Sequence, residues 1–258
     1  RRGRARDSRL PAPPLVAVSM SPLRERLASL LARIRSAEDR SGRPSGCVEL
    51  LAVTKGVSAE VVAHAVECGQ RAFGENRVQE LEQKREAVER LCPGIELRWD
   101  LIGPLQSNKV RRALAVATRI GSVDRIDLLE RIAALSSAGG SAPRLLVQVN
   151  VDEDPAKSGF TPEALLASVP QIAAVAARTP LAFDGLMTVG RLTADPAESR
   201  RTFSAFAEVA GRFRSAASAH GLQIGPLLSA GMSGDFETAI EEGATEVRLG
   251  SALFGTRG

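Results

Sequence analysis

The chain has 258 residues, 44% of them hydrophobic and 25% charged, which is ordinary for a globular enzyme-like protein. Residues 1–9 hold five arginines and one aspartate and so account for the whole net charge of +4; the neutral remainder argues against a nucleic-acid-binding protein. The three cysteines lack C-x-x-C spacing, and no apolar run approaches the ~20 residues of a membrane helix. We therefore expect a cytoplasmic protein with no metal, nucleic-acid or membrane partner.

The N-terminal residues 1–20 have the composition of a disordered or dispensable tail, with arginines followed by a proline-rich run. Met20 has the setting of a natural start, so residues 1–19 are expected to be dispensable upstream sequence. We expect residues 21–258 to form one domain.

Three dipeptides place a capping side chain directly before a proline, namely Ser21–Pro22, Thr161–Pro162 and Asp195–Pro196. A capping oxygen followed by proline in the first turn is a typical helix start. Each dipeptide precedes apolar residues at helical spacing, so each predicts a helix, and Ser58 predicts a further one.

Short apolar runs that predict strands alternate with helical patterns along the rest of the chain. The eight runs are Val48–Thr54, Arg71–Gly74, Glu96–Ile102, Thr118–Val123, Arg144–Val151, Leu181–Thr188, Pro226–Ala230 and Glu246–Gly250. Eight strand–helix units predict an α/β fold of the single (β/α)8 TIM barrel type. An open doubly wound sheet is the alternative, because strand counts from one sequence are error-prone.

Lys55 closes the first predicted strand, and Gly56 then releases the backbone. A strand end is rigid, so the amine is expected to be held in place at the C-terminal mouth of the barrel, where barrel proteins carry their functional sites. Taken alone, Lys55 is also explained as a solvated lysine that ends a strand.

Two loops near the C-terminus have the chemistry of a phosphate site. Ser233–Gly234 follows the seventh strand at the predicted N-cap of a helix, and Gly250–Ser251 opens the next element after the eighth strand. Barrel proteins frequently hold a phosphate between these two loops, on free N–H groups. Arg248 is expected either to face the same cavity or to form a salt bridge across it, and Ser233 alone could be a simple cap. A phosphate cradle opposite a strand-end lysine indicates pyridoxal 5′-phosphate, because the cofactor's aldehyde requires an amine.

Other polar residues are predicted to be structural. Gly74 and Glu75 are expected in a turn and on the surface, and His64 and His220 are expected to be structural or solvated. Nucleotide-binding, zinc-protease and nucleophile-elbow motifs do not occur in the sequence.

Several motifs, in order, resemble the YggS/PROSC family of pyridoxal-phosphate-binding homeostasis proteins. They are Ala52–Lys55, Phe73–Asn76, Leu101–Gly103, Leu105–Lys109, Lys157–Gly159, Gly185–Met187, Leu228–Ser229, Gly231–Ser233 with Asp235, and Val247–Gly250 with Phe254–Gly255. The resemblance runs from about Ser21 to the C-terminus. It implies the fold type III barrel of alanine racemase without the second, β domain.

The resemblance also implies a role for each of six residues. Lys55 carries the cofactor as a Schiff base, Ser233 and the backbone of Gly250 and Ser251 hold the phosphate, Arg248 faces the pyridine nitrogen, and Asn76 lies near the cofactor. A permanent cation beside the ring nitrogen disfavours its protonation, which makes the ring a weaker electron sink.

Two positions depart from the family pattern, Asp100 where histidine is usual and Arg77 where an aromatic residue is usual. We expect these departures to affect contacts with a substrate rather than with the cofactor. A two-base amino-acid racemase is the alternative function, but the resemblance supplies its second acid/base from a tyrosine, and this sequence contains none. The favoured function is cofactor homeostasis by a monomer that exchanges pyridoxal phosphate, with apo-enzymes as possible recipients.

Overall fold

The eight strands form one closed parallel barrel with helices packed around it. The structure is a computed structural model that describes residues 21–137, 142–191, 193 and 195–255; the predicted tail, residues 1–20, lies outside them. The strands are β1 Glu49–Val53, β2 Ala72–Glu75, β3 Arg98–Leu101, β4 Arg119–Val123, β5 Arg144–Val149, β6 Ala182–Thr188, β7 Ile224–Ser229 and β8 Glu246–Leu249. Strand β1 pairs with both β2 and β8, so the TIM-barrel prediction is confirmed and the open sheet is excluded.

Helices follow the strands in the order that the sequence predicts. They are α1 Ser21–Arg40, α2 Ala59–Glu67, α3 Val78–Leu91, α4 Val110–Val116, α5 Ile126–Ser137, α6 Pro162–Ala167, α7 Val169–Ala176, α8 Pro196–Ala219, α9 Phe236–Glu241 and α10 Ser251–Phe254, with a 3₁₀ turn at Ser107–Lys109. None of the helices in the described ranges is long and apolar enough to cross a membrane.

Three of the four predicted capping residues accept a hydrogen bond at the start of their helices. The Thr161 hydroxyl accepts a hydrogen bond from the Ala164 amide over 3.2 Å, and the Asp195 carboxylate accepts one from the Ala197 amide over 2.9 Å. Ser58 caps α2 in the same way, and α1 begins at Ser21. These caps satisfy N–H groups that lack partners within the helix and so fix where each helix starts.

A buried charge cluster lies at the N-terminal end of the barrel, at the opposite end from Lys55. Arg119, the first residue of β4, bonds to both Asp100 and Glu246, and Arg98 lies beside them. Burial raises the pKa of Asp100 to about 7, an effect that Arg119 and Arg98 only partly offset. Burial also disfavours the Arg119 cation, but the two carboxylates outweigh this and hold its pKa above the usual range. Arg119 therefore stays charged, and the Asp100 carboxyl takes up its proton at a higher pH than an exposed aspartate does.

Candidate functional site

A cavity of about 720 Å³ opens at the C-terminal ends of the strands. All six residues that the sequence analysis assigned to the cofactor line this cavity: Lys55, Asn76, Ser233, Arg248, Gly250 and Ser251. Residues from the loops after β3 and β5 complete much of the remaining wall, among them Ile102, Pro104, Lys157 and Ser158. The strands thus bring together residues from distant parts of the chain, as expected for a barrel mouth.

Lys55 lies in a tight turn directly after β1. The Val57 amide donates to the Thr54 carbonyl over 2.9 Å, and Gly56 has a φ of +68°, a left-handed conformation that favours glycine. The side chain is exposed within the cavity and has no hydrogen bond or ion pair to any residue in the described part of the chain. The amine is therefore accessible to a ligand, but Lys55 lies in a turn two residues beyond the end of β1 rather than on the rigid strand end that the sequence predicted.

The prediction that Glu75 lies on the surface is wrong. Glu75 is the last residue of β2 and fully buried, because α3 carries Lys84 back over the strand end to form an ion pair with it. Glu75 Oε1 also accepts a hydrogen bond from the Thr54 hydroxyl over 2.6 Å. Burial raises the pKa of Glu75, and the Lys84 and Thr54 contacts offset only part of that increase.

Arg248 lies at the floor of the cavity and is 5% exposed. Its guanidinium donates to the Ser229 hydroxyl over 2.8 Å and to the Thr188 carbonyl over 2.6 Å. Burial lowers its pKa to about 10, so the side chain remains a cation at neutral pH. These partners are neutral, and no salt bridge to Arg248 forms among the described residues, so the salt-bridge interpretation is wrong. Two of the five N–H groups are used, which leaves donors for a ligand.

Ser233 occupies a different position from the one predicted. The N-cap of α9 is Asp235, whose carboxylate accepts a hydrogen bond from the Met232 amide over 2.6 Å. The Ser233 hydroxyl instead reaches α10, where it accepts hydrogen bonds from the Ala252 amide over 3.3 Å and from the Ser251 hydroxyl over 3.2 Å. The predicted meeting of the two loops is therefore present, but through contact with the first turn of α10.

Gly250 and Gly103 each allow close backbone approach at the cavity wall. A Cβ on Gly250 would lie 3.2 Å from the Val53 carbonyl oxygen, so β8 can turn into α10 directly against β1. A Cβ on Gly103 would lie 2.3 Å from the carbonyl oxygen of Asn76, a distance that real Cβ atoms do not show. The loop after β3 therefore packs directly on the backbone of Asn76 and fixes that side of the cavity.

The two residues that depart from the family pattern were expected to affect contacts with a substrate, but both lie outside the cavity. Asp100 is buried at the opposite end of the barrel, and Arg77 is exposed at the start of α3; neither lines the cavity. His64 in α2 and His220 at the end of α8 are likewise absent from its lining, consistent with structural or solvated roles. Within the described ranges, no group of three histidine, cysteine or acidic residues could hold a metal ion.

The closed (β/α)8 barrel, with a lysine just after its first strand, is of the class of alanine racemase N-terminal domains. The family model of the alanine racemase N-terminal domain matches residues 26–258. The chain is 38% identical over 240 residues to the pyridoxal phosphate homeostasis protein of Pseudomonas aeruginosa, covering 92% of this chain and 97% of that one. It is 36% identical over 239 residues to the protein of the same name from Aquifex aeolicus, covering 90% and 97%.

A solved relative has the same barrel. PipY of Synechococcus elongatus PCC7942, determined with pyridoxal phosphate bound, superposes with a TM-score of 0.76 at 36% identity, covering 90% of this chain and all of that one. The chain belongs to the family of pyridoxal phosphate homeostasis proteins.

Proposed function

We propose that this protein binds pyridoxal 5′-phosphate as a Schiff base on Lys55 and exchanges or delivers it in vitamin B6 homeostasis. The observation that carries the proposal is that Lys55, which has no side-chain partner among the described residues, lines one cavity with a buried arginine and a pair of hydrogen-bonded serines. PipY, which shares the fold at 36% identity, was solved with this cofactor bound.

The residues of the cavity fit the chemical groups of the cofactor. The unpaired Lys55 amine suits the aldehyde, because a Schiff base forms between an amine and a carbonyl. The hydroxyls of Ser233 and Ser251 and the backbone at Gly250 are donors suited to a phosphate. Arg248 would face the pyridine nitrogen, and Asn76 would contact the cofactor from the end of β2. When bound, pyridoxal phosphate supplies an electron-accepting ring.

The chain's own residues favour holding the cofactor over catalysis with it. Arg248 remains a cation at neutral pH, and a cation beside the ring nitrogen disfavours its protonation and weakens the ring as an electron sink. The relatives reported above are named for homeostasis rather than for a reaction. We therefore propose that turnover is absent or slight.

An amino-acid racemase is the alternative, since the barrel is of the alanine racemase type. A two-base racemase needs a second acid/base on the opposite face of its substrate. The 258 residues include no tyrosine. Lys157 also lines the cavity, but it donates to the Val189 carbonyl over 3.3 Å and lies 3.6 Å from the Asp152 carboxylate. Lys157 is therefore already in contact with protein groups on two other segments.

The homeostasis role carries four further proposals. Apo-enzymes that require pyridoxal phosphate are the proposed recipients, the cytoplasm is the proposed location, and the protein is proposed to act as a monomer. Residues 21–258 are proposed to be the functional unit.

Reduction of the loaded protein with borohydride, followed by peptide mapping, tests the central proposal. The phosphopyridoxyl label is expected on Lys55, and label on another lysine would overturn the assignment. The racemase alternative is tested with L-alanine in deuterated buffer. Steady exchange of the α-hydrogen with accumulation of D-alanine would overturn the preference for a carrier.

A further inference from the structure

The backbone on both sides of Lys55 is held by side chains from a neighbouring helix. On one side, the Lys84 ammonium donates to the Thr54 carbonyl over 2.5 Å. On the other side, the Gly56 amide donates to Glu80 Oε1 over 2.6 Å. Both side chains belong to α3, one helical turn apart, and they contact each other over 3.1 Å. Lys55 thus sits between two anchored peptide groups.

The anchor is built around a buried cation whose donors are all used. An ammonium has three N–H donors and no acceptor. Lys84 directs these to Thr54, Glu75 and Glu80 while being only 7% exposed. We call Glu75, Glu80 and Lys84 the clasp.

Glu80 is drawn toward the charged form by its contacts. Burial by itself opposes ionisation, but the Gly56 amide and the Lys84 ammonium outweigh it and hold the pKa of Glu80 below its ordinary value. The hydrogen bond to Gly56 is therefore charge-assisted, which is the stronger kind. The partly exposed Glu80–Lys84 salt bridge alone would contribute little to stability. The distinctive feature is therefore the hydrogen bond from the Gly56 amide to Glu80.

The turn at Lys55 needs such support. It is exposed on the cavity side, and its glycine could adopt many other conformations if it were released. A displacement of about 1 Å at a reacting group can lower a rate ~100-fold. Fixing the flanking peptides therefore fixes where the amine can reach.

We propose that the clasp positions Lys55: Glu80 and Lys84 hold the turn in the one conformation that directs the amine into the cavity. Glu80 and Lys84 are positioning residues, because their side chains reach the backbone at Gly56 and Thr54 and do not line the cavity. The inference rests on the proposed function of Lys55. The competing explanation is that the clasp only fastens α3 to the barrel and contributes stability alone.

Glu80→Ala separates the two explanations, because it removes the Gly56 contact but leaves the Glu75–Lys84 pair. Glu80→Gln keeps an acceptor oxygen at the same reach and serves as the conservative rescue. Glu82→Ala is the matched control, since Glu82 lies on the same helix but pairs with Arg112 and does not contact the turn.

Two ligands are titrated into each variant. Pyridoxal 5′-phosphate can form a Schiff base, whereas pyridoxine 5′-phosphate has the ring and the phosphate but no aldehyde. For Glu80→Ala, we expect the rate of Schiff-base formation, read from the visible absorbance, to fall about tenfold or more. Affinity for pyridoxine 5′-phosphate is expected to stay within about twofold of the parent, which is less than 0.5 kcal/mol. Glu80→Gln should recover most of the rate, and Glu82→Ala should leave it unchanged.

Three other results would each overturn either the positioning role or the proposed function. An unchanged rate in Glu80→Ala, in a protein whose parent forms the Schiff base on Lys55, would overturn the positioning role and leave the proposed function standing. Equal losses for both ligands together with a lower Tm would also overturn it, in favour of a purely structural clasp. A parent protein that forms no Schiff base on Lys55 would instead overturn the proposed function itself.

Discussion

The Ser251 hydroxyl donates to the Ser233 hydroxyl over 3.2 Å and so joins the loop after β7 to the first turn of α10. The Ala252 amide also donates to Ser233, so this one oxygen organises the proposed phosphate end of the cavity. Neither loop by itself would place both hydroxyls together. Replacing Ser233 should therefore disturb more than one donor.

Ser233→Ala is expected to weaken binding of pyridoxal 5′-phosphate. Loss of one hydrogen bond to a charged phosphate costs about 1.5–3 kcal/mol, which corresponds to roughly 10- to 150-fold in Kd. Fluorescence or absorbance titration measures this change. Ser41→Ala is the control, because that hydroxyl donates to the Ala37 carbonyl at the end of α1, away from the cavity. A Kd for Ser233→Ala within twofold of the parent would contradict the phosphate assignment.

Lys55→Ala is expected to abolish the visible absorbance of the loaded protein, because it removes the amine that forms the Schiff base. Affinity for pyridoxine 5′-phosphate should persist, since the ring and phosphate contacts come from other residues. Lys109→Ala, a lysine of the 3₁₀ turn that is absent from the cavity lining, should behave like the parent. A persistent band in Lys55→Ala that leaves a covalent label on the protein after borohydride reduction would show that another amine carries the aldehyde.

Gly103→Ala is expected to lower both stability and cofactor affinity. Its new Cβ would meet the carbonyl oxygen of Asn76 at 2.3 Å, so the backbone on that side of the cavity must move. Overpacking of this kind costs typically ~1–3 kcal/mol. Gly211→Ala is the opposite case, because that position is exposed in α8 and has open space, and it should stabilise by about 0.5–1 kcal/mol. Urea unfolding of both variants tests the contrast, and equal effects would contradict it.

The pKa of Asp100 predicts one component of the pH dependence of stability. The folded-state value of about 7 lies above the ordinary 3.8, so between these values the native carboxyl holds a proton that the unfolded chain has released. The contribution of Asp100 to the free energy of unfolding therefore falls as pH rises from about 4 to about 7. Arg98, Arg119 and Glu246 are the charged groups around it.

Asp100→Asn should flatten that part of the stability profile, because an amide has the same shape but does not titrate. Urea unfolding at several pH values between 4 and 8 measures the slope. Asp127→Asn is the control, since Asp127 is an exposed partner of Arg125. Identical slopes for the parent and Asp100→Asn would show that the buried carboxyl stays ionised throughout.

Most of the barrel was predictable because both faces of its strands are buried, which leaves apolar runs that stand out in the sequence. All eight predicted runs overlap observed strands. The runs Glu96–Ile102 and Pro226–Ala230 still differ from β3 and β7 by up to two residues at an end. Strand ends depend on pairing with neighbours, which a single run does not encode.

The sequence predicts residues that line the candidate site but not the contacts that these residues make. The strand ends and the loops after them indicated Lys55, Ser233, Arg248, Gly250 and Ser251, because the barrel brings all strand ends to one mouth, whereas Asn76 followed only from the family resemblance. Ser233 was assigned to the wrong helix, since its choice of partner depends on how two distant loops meet. The clasp was missed because Lys84 and Glu80 have the spacing of a solvated helix pair, and only the packing of α3 on β2 buries Lys84. The i,i+4 pair next to a strand end was the available signal.

The pairing of β1 with β8 determines when, during synthesis of the chain, the candidate site becomes complete. Ala52 is opposite Leu249 in this pairing, so the lysine after β1 and the serine after β8 flank one seam of the barrel. A ribosome that has synthesised β1 to β7 has produced Lys55 but not the proposed phosphate-binding residues after β8. The proposed binding of the cofactor would therefore require that β8 and α10 have been synthesised. A protease that removed this last segment would abolish the proposed binding and leave Lys55 in place.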